Sequence, residues 1–251
     1  MINPLRPIWA ALRDVFDEFA LLLGCNLIWC VLSLPLLWVA YLALGVGATT
    51  PAALTVLVGV LPAGPATAAL AYVANRTSEG RATRMGEFFV AMRTYARPGW
   101  TILGLWVLGL LVILFDIGFY SGMGNLLGAI ILGVWIYLLV IWLALLIYLF
   151  PLMAMQEQVS LRLIVRSAAL MVVGRPIFTA VNLALMLLVI GLSVMAVVPL
   201  VAITPALLSV WGVRATRTLI DDARRRRSAA EATSEPTVVE EKGRKGQVRP
   251  K

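Results

Sequence analysis

Charges are absent over long stretches of this chain, and those stretches set its architecture. From Phe19 to Asn75 there are 57 residues without one, about 85 Å as helix against roughly 30 Å of hydrocarbon to cross. One helix cannot hold such a run. Gly45, Gly47 and Pro51 punctuate its middle, which predicts spans over 19–45 and 51–75 joined by a short uncharged turn. Pro98 to Gln156 is a run of 59 residues with a single acid, Asp116, and Ser121, Gly122, Gly124 and Asn125 mark its turn. Spans over 99–120 and 125–151 follow. Pro176 to Val213 holds 38 residues, about 57 Å as helix, room for two short crossings over 176–198 and 199–217. The last would end near Arg217, whose long side chain can snorkel to the headgroups.

The connections between these hairpins carry a different periodicity. In 81–97, Met85, Phe88, Phe89, Met92 and Ala96 form an apolar stripe on one helical face, with Arg84, Glu87 and Arg97 off it. In 157–174, Leu161, Ile164, Val165, Ala168 and Val172 repeat that spacing, although Leu163 and Leu170 make the other face apolar too. Both are expected as amphipathic helices in the interface plane. Arg97-Pro98-Gly99-Trp100-Thr101 and Arg175-Pro176-Ile177-Phe178-Thr179 each follow such a helix and open a hairpin. The pair reads either as a trace of duplication, as in transporter folds, or as the ordinary form of a basic entry to a span that starts with proline.

Orientation comes from the basic residues, which favour short cytoplasmic loops. Arg6 and Arg13 lie in segment 1–18, five arginines in 76–99, three in 157–175 and eleven basic residues from Arg214 onward, together all 21. The three opposite turns, which include Thr49, Ser121 and Thr204, carry none. The expected fold is therefore all-α: a polytopic membrane bundle of six helices as three hairpins, both ends inside. The rival has five spans and an external N-terminus, with Leu61-Pro62-Ala63-Gly64-Pro65 breaking the second run.

Composition agrees and narrows the chemistry. Hydrophobic residues make up 61% of the chain against roughly 45–50% in ordinary soluble domains, and only 14% are charged. Histidine is absent, which removes the commonest general base and metal ligand. With one acid at membrane level, no intramembrane protease constellation can be assembled, and no phosphate-binding glycine pattern occurs. No enzymatic activity, cofactor or metal is expected. Cys25 and Cys30 read as small core residues, and Leu22-Leu23-Gly24-Cys25 is no lipoprotein signal because Asp14, Asp17 and Glu18 precede it too closely. The segment 219–251 is expected as a basic, disordered cytoplasmic tail; from Ser228 on it has 9 charged residues in 24 and no aromatic one. Arg224, Arg225, Arg226 and Arg227 serve as a topology signal, as contacts for anionic lipid headgroups, or both. Nucleic acid is not an expected partner, because no aromatic residues interleave the basic ones.

Within the apolar runs the polar or helix-breaking candidates are Asn26, Pro35, Gly64, Pro65, Asp116 and Asn182, with Asn125 at a turn. Asp116 either marks a site at membrane depth or reaches external water beside Ser121. Asn26 and Asn182 sit at comparable distances from the inner side. With a helix break at Gly64-Pro65 they either line a polar pocket or clasp helices together without a ligand.

Asn26-Leu27-Ile28-Trp29, Ser33-Leu34-Pro35, Gly64-Pro65-Ala66-Thr67-Ala68-Ala69-Leu70 and Glu87-Phe88-Phe89, then Phe150-Pro151-Leu152 and Arg175-Pro176, resemble the successive landmarks of the YesL-like family over roughly 15–215. That family is a bacterial group of integral membrane proteins without an assigned activity. The 28 residues 36–63 separate two elements that lie almost side by side in the family, and give room for two spans before Arg76. The resemblance implies a bacterial plasma-membrane protein, non-enzymatic, accessory to a carbohydrate uptake complex. The alternative is a small-solute transporter with a site at proline-broken helices.

Overall fold

The computed structural model describes residues 3–156, 159–196, 199, 201 and 203–234. Among the described residues there are nine helices and no strand. They are α1 (Arg6–Asp17), α2 (Phe19–Gly45), α3 (Thr49–Ser78), α4 (Met85–Thr94), α5 (Ala96–Ser121), α6 (Leu126–Ala154), α7 (Leu161–Gly174), α8 (Pro176–Ala196) and α9 (Thr204–Ser234). Five of them, α2, α3, α5, α6 and α8, are long and apolar enough to cross a membrane. Their exposed faces are rich in leucine, valine and aromatic residues, which suits a hydrocarbon solvent. The turns between α2 and α3 and between α5 and α6 use Gly47 and Gly124 at φ of 75° and 61°, left-handed values that glycine adopts without a steric penalty. Asn125 is the N-cap of α6, its side-chain oxygen accepting from the Gly128 N–H at 2.7 Å.

Three expectations need correction. The prolines do not break their helices: α2 continues through Pro35 and α3 through Pro62 and Pro65. The segment expected as a sixth span, 199–217, differs in kind from the other five. Residues 200 and 202 lie outside the described residues, the helix begins at Thr204, and it stays free of charge only as far as Val213, about 15 Å of rise. Nor is Thr204 an open turn position: it is 2% exposed and pairs with Ser193 and with the Pro199 carbonyl. Finally, 219–234 are helical rather than disordered. A helix already anchored in the bundle propagates without the cost of nucleation, and Arg226–Asp222 and Arg227–Glu231 support it at i, i+4 spacing. The rest of the expected tail, 235–251, lies outside the described residues.

The N-terminal segment contains a feature that the apolar runs did not announce. Pro7, Ala11 and Val15 form the buried face of α1, while Trp9 and Phe16 stand 70% and 75% exposed on it. The helix is amphipathic and packs on α9.

Around the bundle, polar side chains bridge six seams between neighbouring helices. Trp29 Nε1 donates to Thr67 Oγ1 at 2.9 Å (α2–α3), and Trp100 Nε1 donates to the Leu61 carbonyl at 2.7 Å (α3–α5). Trp106 and Trp142 each donate to the other's carbonyl at 2.9 Å (α5–α6). Tyr148 and Thr179 share a 2.8 Å bond (α6–α8), and Trp211 Nε1 donates to Asn182 Oδ1 at 2.8 Å (α8–α9). Asn26 completes the circuit from α9 to α2 through the Ala206 N–H. In hydrocarbon, helices gain no hydrophobic drive toward one another, so such bonds and close packing of small residues hold them. The Trp100 bond has a local cause. Pro65 has no N–H, so the Leu61 carbonyl four residues before it loses its helical partner, and the indole replaces it.

Candidate functional site

Asn26 and Asn182 are both fully buried, and each uses both sides of its amide. Asn26 Nδ2 donates to the Val201 carbonyl at 2.5 Å, and Asn26 Oδ1 accepts from the Ala206 N–H at 3.0 Å. That N–H belongs to the first turn of α9, where a helix has no internal acceptor for it. Asn182 Nδ2 donates to the Phe178 carbonyl at 2.8 Å on its own helix. Its oxygen holds Trp211, the largest of the fully buried side chains. The two asparagines thus grip α9 five residues apart, and no hydrogen bond joins them directly among the described residues. Asn26 lies in the first third of α2, so α9 begins within the bundle rather than at the far end of its neighbours.

Gly64 and Pro65 face a different helix. Both are buried, and a Cβ placed on Gly99 of α5 would stand 2.7 Å from the Gly64 carbonyl oxygen. That is a backbone-to-backbone crossing only glycine permits. Pro35 is exposed on α2. Asp116 is half-buried near the end of α5, with no ion pair among the described residues. The intramembrane candidates therefore divide among separate seams.

The charged residues do converge, at the other end of the bundle. Arg214 of α9 holds Asp14 of α1 by two bonds of 2.6 Å, a bidentate pair. Arg217 donates to Asn75 Oδ1 at 2.8 Å and Glu79 Oε1 at 2.5 Å at the end of α3. Arg175, between α7 and α8, pairs with Asp222, which also takes Arg226 at 2.9 Å. Arg76 bonds the Tyr72 hydroxyl at 3.1 Å and lies 3.2 Å from Glu87 of α4. Beside it, burial first and then the neighbouring Tyr72 push the Tyr95 phenol above its usual pKa.

Two cavities open at this end. The larger, about 650 Å³, lies between α1 and α9 and includes Arg6, Arg214, Arg217, Arg225 and Arg226 in its wall. The smaller, about 270 Å³, is bounded by Tyr72, Arg76, Glu79, Tyr95 and the end of α6. Arg217 walls the first and bonds Asn75 and Glu79 of the second. The four consecutive arginines are not one patch, because successive helical residues rotate by about 100°. Arg225 and Arg226 turn to the larger cavity, while Arg227 pairs with Glu231 at 3.0 Å.

The sequence shows charge in these segments without its pairing: Asp14–Arg214 and Glu79–Arg217 join residues 200 and 138 positions apart. Among the described residues no group of three or more metal-ligating side chains is assembled. No family model matches the chain, and no curated protein or solved structure is similar enough to be matched to it.

Proposed function

We propose that this chain is a multi-pass protein of the bacterial plasma membrane that acts without covalent chemistry, as a scaffold for a partner membrane protein. One observation carries this reading. Asn26, Asn182, Thr67, Thr179, Tyr148 and five indoles within the membrane layer are engaged in bonds between helices or to their own helix, while the buried Ser33 Oγ of α2 lacks a partner. A rigid bundle with its polar groups so engaged suits a protein that presents surfaces. The YesL-like landmarks support the same role and suggest the partner's class, a carbohydrate uptake system.

In the proposed topology the arginine-rich end faces the cytoplasm. Helices α2, α3, α5 and α6 cross fully, and α8 and α9 enter from the inner side as a shorter hairpin, supported by the bond between Ser193 near the end of α8 and Thr204 at the start of α9. The two bonds from Arg214 to Asp14 support a shared side for the N-terminal helix and α9. The rival with an external N-terminus would separate those partners by the membrane thickness. The transporter alternative has less to rest on, since α3 is unbroken at Pro65 and the freed Leu61 carbonyl is occupied by Trp100.

Affinity purification of the tagged chain from native membranes in mild detergent tests the proposal. A membrane protein at fixed stoichiometry is the expected result. A chain that purifies alone and moves a solute across reconstituted vesicles would replace the scaffold by the transporter.

A further inference from the structure

The larger cavity between α1 and α9 has an unbalanced wall. Five arginines and two aspartates, Asp221 and Asp222, line it. Arg214 is committed to Asp14, Arg226 to Asp222, and Arg217 to Glu79 and Asn75. Arg6 and Arg225 have no ion pair among the described residues. Two free guanidinium groups around a volume of about 650 Å³ are what a tetrahedral oxyanion with several acceptor oxygens would satisfy.

The setting narrows the source. On α1, the helix that forms one wall, Trp9 and Phe16 are exposed, as is Leu5 just before it, residues that place a surface helix at the level of lipid headgroups. A phosphate in this cavity would therefore sit where inner-leaflet headgroups lie, given the proposed topology.

We infer that the α1–α9 cavity is a phosphate-binding site held by Arg6 and Arg225, fed from phospholipid headgroups at the membrane surface or from soluble phosphate. It is distinct from a general attraction of the basic segment to negative surfaces, because Arg224 and Arg227 stand outside it. Asp221 is the acid that opposes an anion there.

The test uses the full chain in neutral detergent, titrated calorimetrically with inorganic phosphate, with short-chain phosphatidic acid and with short-chain phosphatidylcholine. Arg6→Gln/Arg225→Gln should weaken phosphate-group binding about thirty-fold, at about 1 kcal/mol per arginine and 1.4 kcal/mol per tenfold. Arg224→Gln/Arg227→Gln should leave it unchanged, and Asp221→Asn should strengthen it. Both arginine pairs are exposed, so neither variant threatens folding. Phosphatidic acid binding much tighter than inorganic phosphate assigns the site to lipid; equal affinities assign it to soluble phosphate. The inference is overturned if the two arginine pairs lower affinity equally, or if wild type binds neither phosphate nor phosphatidic acid more tightly than phosphatidylcholine. A failed cysteine-accessibility test would refute the topology alone, since binding in detergent does not depend on sidedness.

Discussion

Replacing Asn26 by leucine keeps the number of side-chain heavy atoms and removes every hydrogen bond that the amide makes to the start of α9. In the native chain its nitrogen donates to the Val201 carbonyl and its oxygen accepts from the Ala206 N–H. Such bonds between helices contribute about 0.6 kcal/mol each on average in membrane proteins. The Ala206 N–H, left unpartnered in a core where Ala206 is fully buried, adds a penalty of about 1–3 kcal/mol. The sum is about 2–4 kcal/mol, which for a chain of this size lowers Tm by roughly 4–16 °C at about 2–4 °C per kcal/mol. Thermal unfolding in mild detergent, followed by tryptophan fluorescence, reads this directly, because Trp211 lies one and a half turns along α9 from Ala206. An unchanged Tm together with loss of partner or solute activity would refute the clasp and make Asn26 part of a site.

The remaining seams give parallel expectations. Trp100→Phe should cost about 1 kcal/mol in wild type and clearly less beside Pro65→Ala, where residue 65 regains an N–H for the Leu61 carbonyl; a double-mutant cycle on unfolding free energy measures the coupling. Gly99→Ala should destabilise the bundle more than Gly104→Ala, since the new methyl meets the Gly64 carbonyl at 2.7 Å in one case and Val60 at 3.7 Å in the other; comparative Tm values decide it. Arg214→Gln should release α1 by breaking the bidentate bond to Asp14, seen as faster amide exchange over 6–17 with little change in α3.

The helical character of the apolar runs was legible because length and absence of charge are local properties, and hydrocarbon leaves few alternatives for an unpaired backbone. What escaped depends on partners distant in the chain. Pro65 announces that the Leu61 carbonyl loses its N–H, yet nothing nearby names Trp100 as the replacement. Asn26 and Asn182 were recognisable as polar groups at membrane depth, but that both close on α9 is a tertiary fact. α1 was missed although Pro7, Ala11 and Val15 recur at i, i+4 and i+8, because its twelve residues are few for an isolated helix to be stable and its apolar face finds support only on α9. Composition suggested a disordered tail, and did so wrongly for 219–234, because composition does not register that a helix anchored upstream continues at little cost.

Cysteine accessibility tests the central claim most directly, that the arginine-bearing segments share one side of the membrane. Single cysteines at Thr49, Ser121, Ala82, Ser160 and Ser228, all exposed positions, are placed in a chain lacking Cys25 and Cys30 and treated on intact cells with an impermeant thiol reagent. The account predicts labelling at Thr49 and Ser121, and protection of Ala82, Ser160 and Ser228 until the membrane is permeabilised. Labelling at Ala82 or Ser228 on intact cells would contradict it.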